Sequence, residues 1–371
     1  MKKKKFLLLI EDDCEVMGNG LGNVMEHQFL PSLMMMELAQ KYNVKMTFMV
    51  DVAHQLTLRR HLHDAKLRIQ SEIWDDMVLL MKSMGFDVQL HLHPQWVDAK
   101  YQDGNFFLNS NWNIGRCDRQ TQRLLVTQAV SYLQELIRPT FPDYSVHTFK
   151  AGSWGMQPSS SLLELFNDMG ISILMGPRDG MVLPHWGVNY ESLEEKDLPY
   201  KPDNEDITKI SKIKSPFCVL PLQVYEPNLV TLGRLLLKEV SRKVFSVNEL
   251  RYLHKNPIHD DIVNQGKSSF RNFLKPSIKP YRTHLKIGSQ PFSFMKNSFD
   301  SVIKRLNTYD IPRIPVVIES HTKQYRNNFA EIEKFLFYIN DKYSDSVEFG
   351  DMTMLADEVS KKEIYVVGES E

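Results

Sequence analysis

The chain has 371 residues, of which 42% are hydrophobic and 25% are charged, and its formal net charge is −1. This length and composition indicate a folded protein with a sizeable core, and the balanced charge argues against a protein that binds nucleic acid over its whole surface. The three cysteines lie far apart and in no CxxC spacing, which argues against a disulfide framework or a thiolate zinc site. No apolar run reaches the roughly 18 residues of a membrane-spanning helix, and the short apolar run near the amino terminus leads directly into three acids, so we expect a soluble, cytoplasmic protein.

Apolar runs alternate with stretches of helical periodicity along most of the chain, which is the pattern of βα units built around a parallel sheet. The sequence therefore predicts an α/β fold, a distorted (β/α) barrel of seven or eight strands that occupies residues 1–371 as a single domain. The predicted strands cover residues 6–10, 45–50, 87–92, 146–150, 171–175, 217–222, 313–319 and 347–349. The predicted helices cover residues 29–42, 73–84, 121–137, 160–169, 230–245, 294–306 and 329–343.

The first predicted strand ends in three consecutive acids, Glu11, Asp12 and Asp13. Such a strand end resembles the start of a response-regulator receiver, in which an acidic pair holds Mg²⁺ and Asp51 would be the phosphoacceptor. A receiver also needs a lysine at a later strand end, but Lys100 lies in a polar stretch. This interpretation also leaves the histidine pair described next without a role, and we reject it.

A histidine pair gives the sharpest local signal in the sequence. Residues 87–96 read DVQLHLHPQW, and because side chains two apart in an extended chain project to the same side, His91 and His93 face one point. Neutral imidazoles are typical ligands of Zn²⁺, and a catalytic zinc has three protein ligands and one open position. Catalytic groups of parallel barrels gather at the carboxyl ends of several strands, so Asp13 is the candidate third ligand. Imidazoles satisfied by the backbone or by each other are the alternative.

A basic residue marks the end of a later strand. The segment FKAGSWG at residues 149–155 places Lys150 at a strand end, followed by a glycine-containing turn with Trp154. The plainer interpretation of this segment is a turn whose indole packs on the core. We expect Lys150 to meet Asp13 and the histidine pair at one end of the barrel.

Two stretches interrupt the alternation and are predicted to be insertions. Residues 177–215 are polar and contain several prolines, which is typical of a long ordered loop beside a site. Residues 228–305 are predicted to form a basic, largely helical insertion, since residues 234–305 hold 15 Lys or Arg against five acids. A solvated insert explains this excess, and peripheral contact with a membrane surface, an anionic glycan or a lipid-linked sugar pyrophosphate is the alternative.

The last polar strand end lies in the segment IPVVIESHTK, which places His321 just after an apolar run. Taken in chain order, these motifs resemble those of the polysaccharide deacetylases, the NodB-homology carbohydrate esterases, over most of the chain. In that family the first motif contains a catalytic base followed by a metal ligand, which the resemblance assigns to Asp12 and Asp13.

The histidine motif of the family matches this chain at one position and departs from it at another. The match is His91, which the resemblance makes a metal ligand. The family usually has its second histidine four positions later, where this chain has Gln95. Either His93 or Gln95 therefore completes the metal site.

The resemblance also assigns roles to the later motifs. Lys150 stands where the family more often has an arginine, so that it acts on the base as a point charge. His321 matches the histidine of the last motif, which is the general acid, and we expect a neighbouring carboxylate such as Glu319 to hold it protonated. The candidates for substrate binding are the residues of the aromatic motifs, Trp96, Trp154 and Gly155.

The resemblance implies a metal-dependent hydrolase that removes an N- or O-linked acetyl group from a sugar of a surface-polysaccharide precursor. Its cofactor would be a divalent metal, Zn in the first place and Co, Ni or Mn otherwise. Its partner would be an acetylated sugar, as a lipid-linked or nucleotide-linked glycan, and not a nucleic acid. A carbohydrate-binding pseudoenzyme with the same barrel and no catalytic metal is the alternative, motivated by Gln95 and Lys150.

Overall fold

Eight parallel strands form the central sheet of the protein, for which the computed structural model describes residues 4–227, 282–325 and 328–369. The strands are β1 (Phe6–Cys14), β2 (Thr47–Asp51), β3 (Asp87–Leu92), β4 (Thr148–Ala151), β5 (Ile173–Met175), β6 (Cys218–Leu220), β7 (Ile314–His321) and β8 (Val347–Gly350). Their spatial order is β6-β5-β4-β3-β2-β1-β7, and β8 pairs with the first half of β1. All the predicted strands are present, and the predicted fold class, a distorted (β/α) barrel, is confirmed.

Helices surround this sheet. In the described part of the chain they are α1 (Leu30–Lys41), α2 (Val52–Arg60), α3 (Ala65–Ser83), α4 (Arg119–Ile137), α5 (Ser160–Met169), α6 (Phe292–Leu306), α7 (Thr322–Tyr325), α8 (Phe329–Lys342) and α9 (Met352–Ser360). Asp64, Asp118 and Asp351 cap α3, α4 and α9, because each carboxylate accepts a backbone N–H of the first turn. The sequence does not predict α2, α7 or α9, and the helix predicted at residues 230–245 lies outside the described residues.

Short elements connect the strands and helices. Antiparallel hairpins pair Lys100–Gln102 with Asn105–Phe107 and Val182–Leu183 with Val188–Asn189. Val224–Tyr225 pairs with Thr283–His284, also in the antiparallel direction. A π-helical turn, Met25–Phe29, precedes α1, and single 3₁₀ turns occur at Pro94–Trp96, Ile114–Arg116, Gly152–Trp154 and Pro184–Trp186.

The gap between β6 and β7 is bridged by a side chain and a short backbone segment. Gln223 Nε2 donates to the carbonyl of Pro315 at 3.3 Å, and its Oε1 accepts the N–H of Val317 at 3.0 Å. Further along β7, Glu319 N–H donates to the carbonyl of Leu285, and the N–H of residue 287 donates to the carbonyl of Glu319, both at 3.0 Å. These hydrogen bonds connect the region after β6 to β7 and so close the sheet into a barrel.

Alternation along the strands divides the apolar residues into two cores. Leu8 and Ile10 of β1 face outward into the layer between sheet and helices, whereas Leu7 and Leu9 face into the barrel. The inner core is completed by apolar residues of the other strands and of the carboxyl-terminal region, namely Ile173, Met175, Cys218, Leu220, Leu222, Val317, Met352, Leu355, Ile364 and Val366. Beyond Leu9 the interior positions of β1 become acidic, so the polar site lies at the carboxyl end of the strands.

The two predicted insertions differ in how far the structure describes them. Residues 177–215 are described throughout and contain the hairpin of residues 182–189. Residues 228–281 of the predicted basic insertion lie outside the described residues, whereas residues 282–305 include one strand of an antiparallel pair and most of α6. Within the described ranges, no helix combines the length and apolar character needed to cross a bilayer.

Replacing Gln223 by methionine should destabilise the protein by about 2–4 kcal/mol, because a buried backbone N–H and two carbonyls lose their partner. Urea unfolding measures this loss. The control is Gln102→Met, since Gln102 is exposed on a hairpin. Equal stabilities for the two variants would show that the gap between β6 and β7 is held together without Gln223.

Candidate metal centre and active site

A buried lysine organises the polar part of the barrel interior. The ammonium of Lys150, on β4, lies 2.7 Å from Glu11 Oε1, 2.8 Å from Asp13 Oδ1 and 3.0 Å from Glu319 Oε2. Burial alone would lower the pKa of Lys150, but these carboxylates raise it well above its usual range. Burial raises the pKa of Glu11, the deepest of the three acids. The interior therefore holds a fixed positive charge among acids from β1 and β7.

The histidine pair of β3 faces the same space. His91 Nδ1 lies 2.9 Å from the carbonyl of Lys150, so it carries the proton and donates, which leaves Nε2 as the ligand nitrogen. His93 Nδ1 lies 3.2 Å from Oε1 of Gln95, which fixes the second imidazole in the same way. Gln95 thus contacts Nδ1 of His93, on the side of the ring opposite to the Nε2 that faces Glu15. The two rings meet edge to face, with centroids 4.8 Å apart.

Glu15, for which the sequence predicts no role, faces both histidines. Its Oε2 contacts His93 Nε2 and lies 3.7 Å from His91 Nε2. Its other oxygen, Oε1, lies 2.6 Å from the ammonium of Lys323. Burial alone would raise the pKa of Glu15, but His93 and Lys323 hold it well below its usual range. The signal that could have found Glu15 is the period of two along Glu11, Asp13 and Glu15.

The donor set of this cluster fits a divalent cation. Ligand atoms of Glu15, His91 and His93 all lie within 4.8 Å of one another. The Nε2 atoms of both histidines are buried, and neither makes a hydrogen bond of acceptable geometry. Although burial would lower the pKa of His93, Glu15 raises it to about 9. The carboxylate of Glu15 thus favours a positive charge at the position that a divalent cation would occupy. Two imidazoles and a carboxylate are a ligand set that zinc prefers.

Asp13 and His321 lie beside this cluster and contact each other. Asp13 Oδ2 is 3.3 Å from His321 Nε2, and these two residues with Glu15 form a second group of candidate ligands. Asp13 Oδ1 approaches His91 to 4.0 Å, but it does so at Nδ1, the nitrogen already bonded to the carbonyl of Lys150. Burial lowers the pKa of His321, and Asp13 and Glu319 oppose this shift without reversing it, so the net direction is opposite to the one that the sequence predicts from a neighbouring carboxylate.

Asp12, the base suggested by the family resemblance, points to the other face of β1. Its carboxylate accepts hydrogen bonds from Ser320 Oγ and Thr322 Oγ1, both at 2.8 Å, and from the hydroxyl of Tyr325. Period-two alternation explains this position, because Asp12 lies between the inward-facing Glu11 and Asp13. The structure therefore brings Asp13, His91, His93, Lys150 and His321 together and leaves Asp12 outside the cluster.

The predicted aromatic platforms lie in different environments. Trp96 is buried in the outer core and contacts the rings of His54 and Phe106, so it presents no surface to a ligand. Trp154 is half-buried and donates from Nε1 to Glu319 Oε2 at 2.9 Å, which places it at the site. Gly155 is buried against Asn113, where a Cβ atom would come within 2.9 Å of its neighbour. Of these residues, Trp154 alone borders the charged interior.

A chain of buried polar groups extends from Glu319 away from the histidines. His284 Nε2 lies 2.8 Å from Glu319 Oε1, and its Nδ1 lies 3.1 Å from Arg178 Nη1. Arg178 can only donate, so His284 accepts at Nδ1 and donates from Nε2. Glu319 thus receives bonds from Lys150, Trp154 and His284, and its pKa is held well below its usual range by Lys150 and His284 against burial.

Comparison with solved structures agrees with this architecture. The protein resembles a putative polysaccharide deacetylase from Mycobacterium smegmatis, at 12% identity and a TM-score of 0.52 over 99% of this chain and 94% of that one. It also resembles Puue Allantoinase, at 12% identity, a TM-score of 0.49 and coverage of 97% and 91%. A probable polysaccharide deacetylase from Pseudomonas aeruginosa PAO1 follows at 13% identity, a TM-score of 0.47 and coverage of 97% and 92%.

No protein-family model and no curated protein matches the sequence. The likeness to the Mycobacterium smegmatis structure establishes a shared fold, since its TM-score exceeds 0.5 while the identity is 12%. The chain therefore has the fold of a polysaccharide deacetylase.

Burial of His54 under Trp96 gives a pH-dependent stability. The rings lie 4.6 Å apart, and burial lowers the pKa of His54 to about 3. Because the unfolded chain binds a proton below about pH 6.5 and the folded chain does not, stability is lost as pH falls. When the pH is lowered from 7 to 4.5, the free energy of unfolding of His54→Phe should fall by about 2–3 kcal/mol less than that of the unsubstituted protein.

Urea unfolding in the presence of a chelator measures this difference without a contribution from bound metal. The control is His63→Phe, which removes an exposed histidine. The same loss of stability in His54→Phe as in the control would contradict the assignment of a neutral, buried imidazole.

Proposed function

We propose that the protein is a metal-dependent deacetylase that removes an acetyl group from a sugar. The observation that carries this proposal is the pair of buried histidines, His91 and His93, whose Nδ1 atoms are engaged and whose Nε2 atoms face the carboxylate of Glu15. The shared fold with a polysaccharide deacetylase supports the choice of reaction. The choice of a sugar as the substrate is supported by this fold likeness and by the half-buried indole of Trp154 beside the site.

Glu15, His91 and His93 are the proposed ligands of a divalent metal, Zn²⁺ in the first place and Co²⁺, Ni²⁺ or Mn²⁺ otherwise. When bound, such an ion polarises the acyl oxygen and activates water. Asp13, the ligand suggested by the resemblance, lies on the Lys150 and His321 side of this group. Gln95 is assigned to orienting His93 because its amide oxygen accepts from Nδ1.

Asp13 is the proposed general base in place of Asp12. Its Oδ1 lies 2.8 Å from the ammonium of Lys150, which holds the carboxylate in place beside the proposed metal site. Its Oδ2 points to His321 Nε2 at 3.3 Å. Asp12 has the same chemistry, but its oxygens are engaged by three hydroxyl groups on the far side of β1.

His321 is the proposed carrier of the proton to the leaving group. Its contact with Asp13 gives a direct path for the proton that Asp13 removes from water, and its side chain is 15% exposed, so it reaches the open end of the barrel. An amine leaves poorly unless it is protonated as the C–N bond breaks. In this scheme Asp13 and His321 act as one unit, with Lys150 and Glu319 fixing the two partners.

The acetylated sugar is proposed to belong to a surface-polysaccharide precursor, lipid-linked or nucleotide-linked, in the cytoplasm. An acetate-release assay over N- and O-acetylated sugars and their oligomers, with Zn²⁺, Co²⁺ or Mn²⁺ added, tests the reaction and separates amide from ester cleavage. Metal-loaded protein that releases no acetate from any of them would favour a carbohydrate-binding protein without catalysis.

Metal retention should depend on the proposed ligands and not on Asp12. We expect Glu15→Gln and His91→Ala to abolish retention of Zn²⁺ after dialysis, and Gln95→Ala to weaken affinity by about 10–100-fold through loss of the bond to His93. Asp12→Asn should retain the metal. Elemental analysis and chelator competition measure these quantities. Loss of metal from Asp12→Asn together with retention by Glu15→Gln would show that β1 supplies its ligands from the other face.

Asp13 and His321 should behave as a coupled pair in turnover. Asp13→Asn and His321→Ala should each lower acetate release from an N-acetyl sugar by about a hundredfold or more, and the double variant should be little worse than either. The effect of His321→Ala should be smaller on an activated aryl acetate, whose leaving group needs no proton. Additive losses, or equal losses on both substrates, would remove the proton-carrying role of His321.

A further inference from the structure

A pair of stacked indoles lies beside the proposed metal site and has no part in the chemistry above. The ring of Trp112 meets His93 edge to face, with centroids 6.4 Å apart and an interplanar angle of 84°. Trp186 stacks on Trp112, with centroids 5.3 Å apart and 15° between the ring planes. Both side chains are half-buried. The two indoles therefore form an apolar surface beside the charged site, in a fixed orientation relative to His93.

The position of Trp112 is fixed by the loop that carries it. Asn109, Asn111 and Asn113 each accept, through the side-chain oxygen, the backbone N–H two residues further on, at 2.8, 3.1 and 2.9 Å. The ring of Trp112 also covers Gly18, where a Cβ atom would come within 2.7 Å of it. These contacts hold the indole in place without a ligand.

The position of Trp186 is fixed by the hairpin of residues 182–189, which lies in the predicted loop beside the site. Asn113 Nδ2 donates to the carbonyl of Trp186 at 2.9 Å, so one side chain joins the two indole-bearing segments. Gln157 closes two bonds with the backbone of Asn189, at 2.9 and 2.7 Å. The stack is therefore anchored at both members.

We propose that Trp112 and Trp186 form a platform that binds a second sugar ring, the one linked to the acetylated sugar. This inference rests on the proposed function, which places the acetylated sugar at the metal site. A pyranose ring has an apolar C–H face that packs on an indole, and the two indoles present such a surface beside His93. Trp186 is the member farther along the stack from His93, which suits a ring beyond the reacting one.

Calorimetric titration of chelator-treated protein tests the platform without any turnover. The probes are N-acetylglucosamine and its β-1,4-linked trimer. We expect the trimer to bind more tightly than the monomer, and Trp186→Ala to weaken trimer binding by about tenfold, the scale of one aromatic contact. Trp186→Phe should recover most of the affinity. The control is Phe337→Ala, which removes an aromatic side chain that is 59% exposed on α8.

The outcomes separate this inference from the proposed function. Weaker trimer binding by Trp186→Ala supports the platform, even if no acetate is released from any sugar and the deacetylase proposal fails. Unchanged trimer affinity in Trp186→Ala, or wild-type binding no tighter for trimer than for monomer, overturns the platform. If Trp186→Ala weakened the binding of a uridine-diphosphate sugar but not that of the trimer, the platform would also be overturned. That result would favour stacking of Trp186 on a nucleotide base.

Discussion

The contact of Lys150 with three carboxylates is the interaction on which the polar interior of the barrel depends. Glu11 and Asp13 of β1 and Glu319 of β7 face the same confined space, and without a cation between them their charges would repel. Removing one partner of a buried ion pair costs several kcal/mol, because the other charge remains buried. Lys150 therefore allows an acidic site to exist on top of an apolar core, and it does so from a strand that also holds His91 through its carbonyl.

Strand β1 passes from the apolar core to the polar site, and its side chains alternate between the inside and the outside of the barrel along the way. Its inward positions run from Leu9 in the apolar layer through Glu11 to Asp13, and the same alternation places Glu15, just after the strand, beside the histidines. Its outward positions bind other parts of the fold, and Asp12 secures α7 through Thr322 and Tyr325. A shift of one residue in register would exchange these two sets of side chains.

Much of this arrangement could be predicted from the sequence, because it depends on strands and on period two. The strand ends with Asp13, His91, Lys150 and His321 meet at one place as parallel strands require. Resemblance to a motif makes Asp12 the catalytic base, although alternation from an inward-facing Asp13 already places Asp12 on the opposite face of the strand. The contacts of Trp112 with Trp186 join loops distant in sequence, and local patterns carry no information on such pairs.

The departure from the family's histidine spacing has a physical explanation in Gln95. A ligand histidine needs its second nitrogen engaged by an acceptor, since that bond selects the tautomer and orients the ring. His91 obtains this acceptor from the carbonyl of Lys150, and His93 obtains it from Gln95 two residues later. The proposed role of Gln95, at the position where polysaccharide deacetylases usually have the second histidine, is therefore to orient His93 and not to bind the metal itself. Two oriented imidazoles whose remaining nitrogens are buried against a carboxylate favour the proposed metal-dependent reaction over carbohydrate binding alone.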